Sequence, residues 1–561
     1  MPSAYHTLPA RSRVAPPRFG HDPAGGNRSG RHGAMWRKVA AVAAFLPWLA
    51  ACNTGPAPDP KFASTRSLGN PEPGLFPSLF GPTFKAGAAT DEPRASLVAR
   101  DILAAGGNAA DAAVAAYFTL SVTMPSAAGL GGGGVCLVHD ADKKTTDAFD
   151  FLPRAAKGGL VAVPGSVRGM AAINARYGKL PWSQLVAPAA AIASNGTAVS
   201  RALASEIASA GPRLTQDPQM AAIFAKSDGT LVGESENIRQ VDLGAALERI
   251  RANGVNEFYS GLLGQSLAQA AQSIGAPLTI EDLRAAKATA YPPLQVSVGD
   301  QTLFLPAPPA SGGVLAAQMI EALQSGSAED AAFVAKAVTG LVADRDQWMK
   351  PGGDATKPTA DLLSSSHVDA AIGTKAGAPA HAMVENPAAT GVVTIDADGQ
   401  GVACEFTMNA PFGAARIAPG TGIILAPAPT EHGAGFSALG PLVLASNDSG
   451  RLYFLAAAGG GVPGDIAKAM LFDAVRHREI PIDQAMQAPR LFADGAGTVY
   501  LEEGTQGQSA VAGGGFQVQP SGKLGKVNAA YCSESTPDSP DTCQLRNDFR
   551  GNGLVTTVNQ Q

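Results

Sequence analysis

Thr390 stands at the head of a Val/Ile-rich run, Ala388-Ala389-Thr390-Gly391-Val392-Val393-Thr394-Ile395-Asp396. A threonine hydroxyl is a poor nucleophile until a base takes its proton, and a free α-amino group on the same residue can serve. Backbone N–H donors aimed at the developing charge then stabilise the tetrahedral oxyanion. The competing account is that Thr390 simply fills a β-strand, as threonine often does. A second chemical candidate is the glycine run Gly131-Gly132-Gly133-Gly134. No Gly-Lys-Ser/Thr closes it, and a strand, Val135 to His139, follows instead of a helix, so a phosphate loop is rejected in favour of close backbone approach. The cysteines and histidines show no zinc-ligand spacing, and no metal or organic cofactor is implied.

The elements that must hold these residues change character along the chain. Asp91 to Met124 reads as helix, broken by Gly106-Gly107-Asn108. Ala162 to Ser166 and Tyr177 to Trp182 read as turns between helices, and helices dominate from Ala187 to about Ile320, interrupted by a strand pair near Leu294 to Leu305. After Ala378 come Gly391 to Asp396, Gly401 to Thr407, Gly422 to Leu425, Pro441 to Ala445 and Leu452 to Ala456. These short apolar runs, separated by Gly, Asp and Pro, predict an antiparallel sheet. Asp396 to Gln400 predicts a hairpin turn with Gly399 at positive φ. A helix follows over about Gly464 to His477, and beyond Phe516 the chain is polar with no pattern that places an element. Cys136 and Cys404, in apolar runs, read as buried thiols; Cys532 with Cys543, closing a short polar loop, is the one disulfide candidate.

Composition bounds the function classes. The chain has 561 residues, 45% hydrophobic and 16% charged, which is globular and long enough for one large layered α/β unit or two to three domains. A net charge of −5 with no basic stripe gives no case for nucleic-acid binding. Near the N-terminus, Arg37-Lys38 precedes an apolar run from Val39 to Ala51, short for a bilayer span and right for a signal-peptide core. It ends in Leu49-Ala50-Ala51-Cys52, which resembles a bacterial lipobox; Cys52 is then the lipidated first residue, and Met35 is a candidate start. The bland reading is an apolar helix that contains a cysteine. The expectation is an exported lipoprotein of the bacterial periplasm or outer membrane, meeting the membrane through its lipid. Residues 1–52 are read as signal and lipobox, and 53–84 as a flexible tether.

Several short segments occur in a fixed order: Gly106-Gly107-Asn108-Ala109-Ala110-Asp111, Gly131 to Gly134, Val163-Pro164-Gly165-Ser166, Tyr177-Gly178-Lys179-Leu180-Pro181-Trp182 and Pro308 to Gly313. Asp396-Ala397-Asp398-Gly399, Thr407-Met408-Asn409, Phe412-Gly413 and Pro419 to Leu425 continue the series. The ordered set resembles the γ-glutamyltranspeptidase family from about Lys85 to Phe492. The resemblance implies an α+β fold, the four-layer αββα sandwich of N-terminal-nucleophile hydrolases. It also implies autocleavage into a large and a small subunit that stay together, here 85–388 and 389–561, the latter ending in a polar tail. The implied activity takes a γ-glutamyl group from a small molecule such as glutathione and passes it to water or an amino acid.

Departures from the family fall on the chemistry. Counting back from Asp396 without gaps, the family's nucleophilic threonine falls on Ala389 and its following threonine on Thr390. A methyl group cannot attack a carbonyl, so Thr390 is the catalytic candidate, through a one-residue deletion or a shifted cut. Strand side chains alternate faces, so a shift by one turns the hydroxyl away unless a bulge corrects it. The resemblance assigns substrate binding to Thr407, Asn409 and Ser437, with Ala438 replacing a second serine, and to the glycine pair Gly460-Gly461. The family's carboxylate-binding arginine is here Leu152, and Arg154, two residues on, is the candidate substitute. After Leu425 the chain reads Ala426-Pro427-Ala428-Pro429, with no acceptor for an ammonium group. Two hypotheses follow: an amidohydrolase of altered specificity, or an inactive relative kept for binding or scaffolding.

Overall fold

Every residue of the strand Ala389–Asp396 is buried, so this strand is covered on both faces and must lie inside a layered structure. In the computed structural model, which describes residues 83–350, 353–374, 388–429 and 438–560, it is the third strand of a seven-stranded sheet. The spatial order is Leu554–Gln560, Thr83–Thr90, Ala389–Asp396, Gly401–Thr407, Gly133–Asp140, Thr145–Phe151 and Thr289–Tyr291. A six-stranded sheet runs Cys543–Asn547, Lys526–Thr536, Leu452–Gly459, Leu442–Ala445, Gln301–Leu305 and Leu294–Val298. The signal-like segment, Cys52, most of the expected tether and Ser437 lie outside the described residues. The first strand takes in Thr83 and Phe84, two residues assigned by the sequence to the tether.

Side-chain alternation assembles the layers. Val393, Ile395, Leu137 and Ala403 of the first sheet pack against Phe304, Val443 and Leu455 of the second. The intervening residues Val392, Val402 and Phe406 turn outward onto the helix Ala109–Thr123 and its neighbours. On the far side, Leu303, Leu442, Leu444 and Phe454 meet the helices Gly312–Ser325, Ala331–Trp348 and Val462–Arg476. The result is helix, sheet, sheet, helix: the four-layer αββα sandwich.

Three of the ordered segments converge on the start of one helix. Asn108 and Asp111 form a reciprocal capping box, with Asp111 N–H donating to Asn108 Oδ1 at 3.1 Å and Asn108 N–H to Asp111 Oδ2 at 3.2 Å. Asp111 Oδ2 also accepts from the Lys179 and Leu180 N–H groups at 2.9 and 3.1 Å. The Ala109 N–H donates to Asp396 Oδ2 at 3.0 Å, while Thr394 Oγ1 donates to Ala109 O at 2.7 Å. These motifs anchor the helix Ala109–Thr123 to the strand Ala389–Asp396, and the hairpin at Asp396 turns with Gly399 at φ 83°. The glycine run acts by close approach. A Cβ on Gly131 would stand 2.1 Å from Ile424 O, and one on Gly132 would stand 2.3 Å from Thr407 O.

Two expectations are corrected. Cys136 and Cys404 are not free thiols; they form a disulfide with Cα atoms 4.1 Å apart, because they sit directly opposite each other in neighbouring strands. Cys532 and Cys543 also pair, again across two strands. The stretch past Phe516 is not a tail: Lys526–Thr536 is an inner strand of the second sheet, and Leu554–Gln560 is an edge strand of the first. Its polar residues include Asn528, Ser535 and Thr536, which are buried within the inner strand.

Replacing both cysteines, Cys136→Ala with Cys404→Ala, is expected to lower unfolding free energy by about 2–4 kcal/mol. Urea denaturation of the double variant beside the parent checks this; an unchanged midpoint would mean the bridge contributes nothing to stability.

Candidate functional site

Ala389 lies at one end of the first sheet, where the strands Gly133–Asp140 and Thr145–Phe151 and the end of Gly401–Thr407 also arrive, and it pairs with Thr407. Its methyl group faces the space between the sheets and is 2% exposed. There it packs with Val135, Leu152, Ala310 and Leu439. Leu152, which takes the place of the carboxylate-binding arginine, therefore touches the same apolar cluster as the residue in the nucleophile's place. Thr407, directly across the sheet from Ala389, is the hydroxyl-bearing residue next to this cluster.

Thr390, one residue on, faces the helices instead. It is fully buried, and its hydroxyl donates to Asp91 Oδ2 at 2.8 Å. Gly391 N–H donates to the same oxygen at 3.2 Å, and Asn528 Nδ2 donates to Asp91 Oδ1 at 2.8 Å and to Gly391 O at 3.0 Å. Lys526 Nζ stands 3.8 Å from Asp91 Oδ2 and 3.5 Å from Glu206 Oε1. Burial works to lower the Lys526 pKa, but Asp91 and Glu206 more than offset it and hold the ammonium above its ordinary value. The register is regular from Ala389 to Ile395, so no bulge turns the Thr390 hydroxyl back between the sheets.

The expected binding residues are distributed unevenly. Thr407 and Asn409 are buried at the end of the strand beside Ala389, and Asn409 N–H donates to Thr407 Oγ1 at 2.9 Å. Asn409, at φ 60°, donates through Nδ2 to Pro153 O and Pro427 O at 3.1 and 3.0 Å. It thus staples together two segments that depart from the family pattern. Its Oδ1 has no hydrogen-bond partner among the described residues. Gly460 and Gly461, at φ 89° and 71°, turn the strand Leu452–Gly459 into the helix Val462–Arg476. A Cβ on the preceding Gly459 would stand 2.4 Å from Ala389 O, so this turn lies against the head of the strand. Arg154 is outside the cluster: its half-exposed guanidinium forms a bidentate pair with Asp150 at 2.6 and 3.0 Å.

A buried charge cluster escaped the sequence reading. Glu405 Oε1 accepts from Lys468 Nζ at 2.6 Å and from Ala458 N–H at 2.7 Å, and Oε2 accepts from Gly440 N–H at 2.6 Å. Lys468 Nζ also donates to Gly440 O at 2.6 Å and stands 3.0 Å from Asp465 Oδ1. All three side chains are at most 1% exposed. Burial raises the Asp465 pKa from its ordinary 3.8 to about 7, against the opposing pull of Lys468. A lone Glu in the run Val402-Ala403-Cys404-Glu405-Phe406, with Asp465 and Lys468 three apart on one helix, was the available signal. Glu405 pairs across the sheet with Gly391, where a Cβ would stand 2.7 Å from Ala457 O. Among the described residues, no group of three or more His, Cys, Asp or Glu is placed to hold a metal ion.

A sequence model of the family described as Gamma-glutamyltranspeptidase matches residues 95–432. The Glutathione hydrolase proenzyme of Escherichia coli (strain K12) is 29% identical over 371 residues, which cover 59% of this chain and 64% of that protein, just under two-thirds of its length. The Acylase ACY 1 proenzyme of Pseudomonas sp. (strain V22) is 28% identical over 504 residues, 78% of this chain and 88% of that protein. Among solved structures, cephalosporin acylase from Bacillus halodurans superposes with a TM-score of 0.73 at 22% identity, covering 87% of this chain and 98% of that one. That likeness carries the fold, the four-layer αββα sandwich.

Two outcomes follow from this geometry. Ala389→Thr places an unpartnered hydroxyl among Val135, Leu152, Ala310 and Leu439, and is expected to cost about 1–3 kcal/mol in thermal or urea unfolding. For Asp465 the sign is fixed by a folded-state pKa above the unfolded one. Its contribution to stability is complete below about pH 4 and is lost as pH rises through about 7. Asp465→Asn, permanently neutral, should therefore gain stability relative to the parent between pH 5 and 8, as read from unfolding midpoints at both pH values. A pH-independent difference would show that Asp465 does not titrate in that window.

Proposed function

The chain belongs to the γ-glutamyltranspeptidase family, and from that premise we propose that it is a member that keeps the family's scaffold without its nucleophile and acts by binding. The observation that carries this reading is the Ala389 methyl group, packed against Leu152 where the family resemblance puts a threonine beside an arginine. The next residue on the strand, Thr390, is fully buried on the opposite face and its hydroxyl donates to Asp91. Activation of a threonine needs a free α-amine and an open path to the acyl carbon, and neither is supported by this arrangement. The names of the relatives, glutathione hydrolase and acylase, point to acyl groups held in amide linkage as the compounds whose recognition the scaffold serves. Turnover of a γ-glutamyl compound such as glutathione through Thr390, with large and small fragments held together, is the reading this proposal replaces.

The exported lipoprotein reading stands beside it as part of the proposal. Two disulfides in one chain support an oxidising compartment, and the run ending at Cys52 supplies the address.

The test combines intact mass and turnover. The chain expressed from Met35, reduced and denatured, should give one species of full mature mass. A γ-glutamyl anilide should be hydrolysed no faster than in buffer alone. Two fragments meeting at Ala389–Thr390, with hydrolysis that Thr390→Ala abolishes, would overturn the proposal.

A further inference from the structure

Leu152 belongs to the apolar cluster of Ala389, and it also lines an open cavity of about 390 Å³ at the end of the strand Thr145–Phe151. Val163, Pro164 and Ala285 continue the apolar wall, while Arg154, Lys157 and Lys287 stand at its rim. Two carboxylates also line it, one paired with Arg154 and one hydrogen-bonded by neutral groups, the Lys157 N–H among them at 3.4 Å. Asp150 accepts the Arg154 fork and the Leu152 N–H at 3.0 Å. Asp282 accepts the Thr279 N–H and hydroxyl at 3.0 and 2.7 Å and caps the Ile280–Ala285 helix. The Lys157 and Lys287 ammonium groups make no hydrogen bond or ion pair among the described residues, although Asp282 lies within electrostatic reach of Lys157. The cavity thus pairs an apolar floor with three cations set against two carboxylates, a surplus of one positive charge.

We propose that this cavity binds a small carboxylate with a short apolar body, the body lying on Leu152, Val163 and Ala285 and the carboxylate meeting Lys157 and Lys287. The volume falls in the range of small-molecule sites. At roughly 30 Å³ per water-sized portion it takes about a dozen non-hydrogen atoms. The proposal rests on the reading that the chain binds without turning its ligand over. An acid fits that reading better than its amide, because the amide leaves both ammonium groups without an anionic partner.

The experiment uses the intact chain and two probes of equal size, 4-phenylbutyrate and 4-phenylbutyramide, followed by titration calorimetry and by mass spectrometry of the probe. The acid is expected to bind about tenfold more tightly than the amide, and its binding should weaken as salt is added. The double variant Lys157→Gln/Lys287→Gln, at two exposed positions that leave the fold intact, should lose most of that preference without altering affinity for the amide. Equal binding of acid and amide, no binding of the acid, or a double variant as tight as the parent would each overturn the cavity assignment. Conversion of the amide to the acid by the protein would instead overturn the non-catalytic reading, so the two failures are told apart.

Discussion

Two-sided burial of one strand governs this molecule. Ala389–Asp396 has no solvent face, so each of its side chains must suit one of two interiors: the seam between the sheets or the contact with the helices. A period of two then leaves no freedom. Val393 and Ile395 must fill the seam, Val392 must fit the helices, and Thr394 must find a backbone acceptor, which it does at Ala109. The same parity separates Ala389 from Thr390. Sliding the strand by one residue would bring the hydroxyl into the seam, but it would also send Ile395 toward the helices and Asp396 away from the Ala109 N–H. The register is held by far more than the two residues at its head.

Much of the scaffold was legible because local chemistry and global packing agree there. Asn108 followed by Asp111 marks a helix start in any context, and its extra acceptor capacity ties in Lys179 and Leu180. The glycine run was legible as close approach, since four glycines before a strand leave little else to explain. The losses at Ala389 and Leu152 were visible one at a time. That they fall in one cluster was not, because their contact joins strand ends more than two hundred residues apart in sequence. The Cys136–Cys404 bridge was hidden for the same reason: strand register between distant segments is not written locally. Leu554–Gln560 was missed because an edge strand carries polar residues toward solvent and loses the apolar signature, and the inner strand Lys526–Thr536 because Asn528, Ser535 and Thr536 are buried among its apolar residues and break the pattern.

The Glu405–Lys468–Asp465 group shows what a buried charge needs. Desolvation of each ion costs several kcal/mol and is offset only when every lone pair and proton is engaged. Glu405 meets this with three donors on its two oxygens, two of them backbone N–H groups from Gly440 and Ala458. Asp465 does not, and its raised pKa expresses the difference. The pair therefore binds the strand Gly401–Thr407 to the helix Val462–Arg476 firmly, and leaves one carboxyl whose charge depends on the medium. Its place, opposite Gly391 and two residues along the sheet from the Ala389–Thr407 pair, puts a rigid polar block behind the apolar cluster.

The Cys136–Cys404 bridge spans 268 residues of sequence, and the segment 375–387 lies within that span. In topological terms, the backbone from Cys136 to Cys404 closed by its sulfurs is a ring. Hydrolysing one peptide bond in a ring adds a pair of chain ends without changing the number of molecules. A protease acting anywhere between the two cysteines would therefore convert this protein from a single chain to a bridged pair of equal mass plus one water. Only a reductant acting afterwards could part them. Persistence of the assembled sandwich is thus set by electron supply as well as by noncovalent packing, and a cut that ends the life of an ordinary chain would leave this one whole.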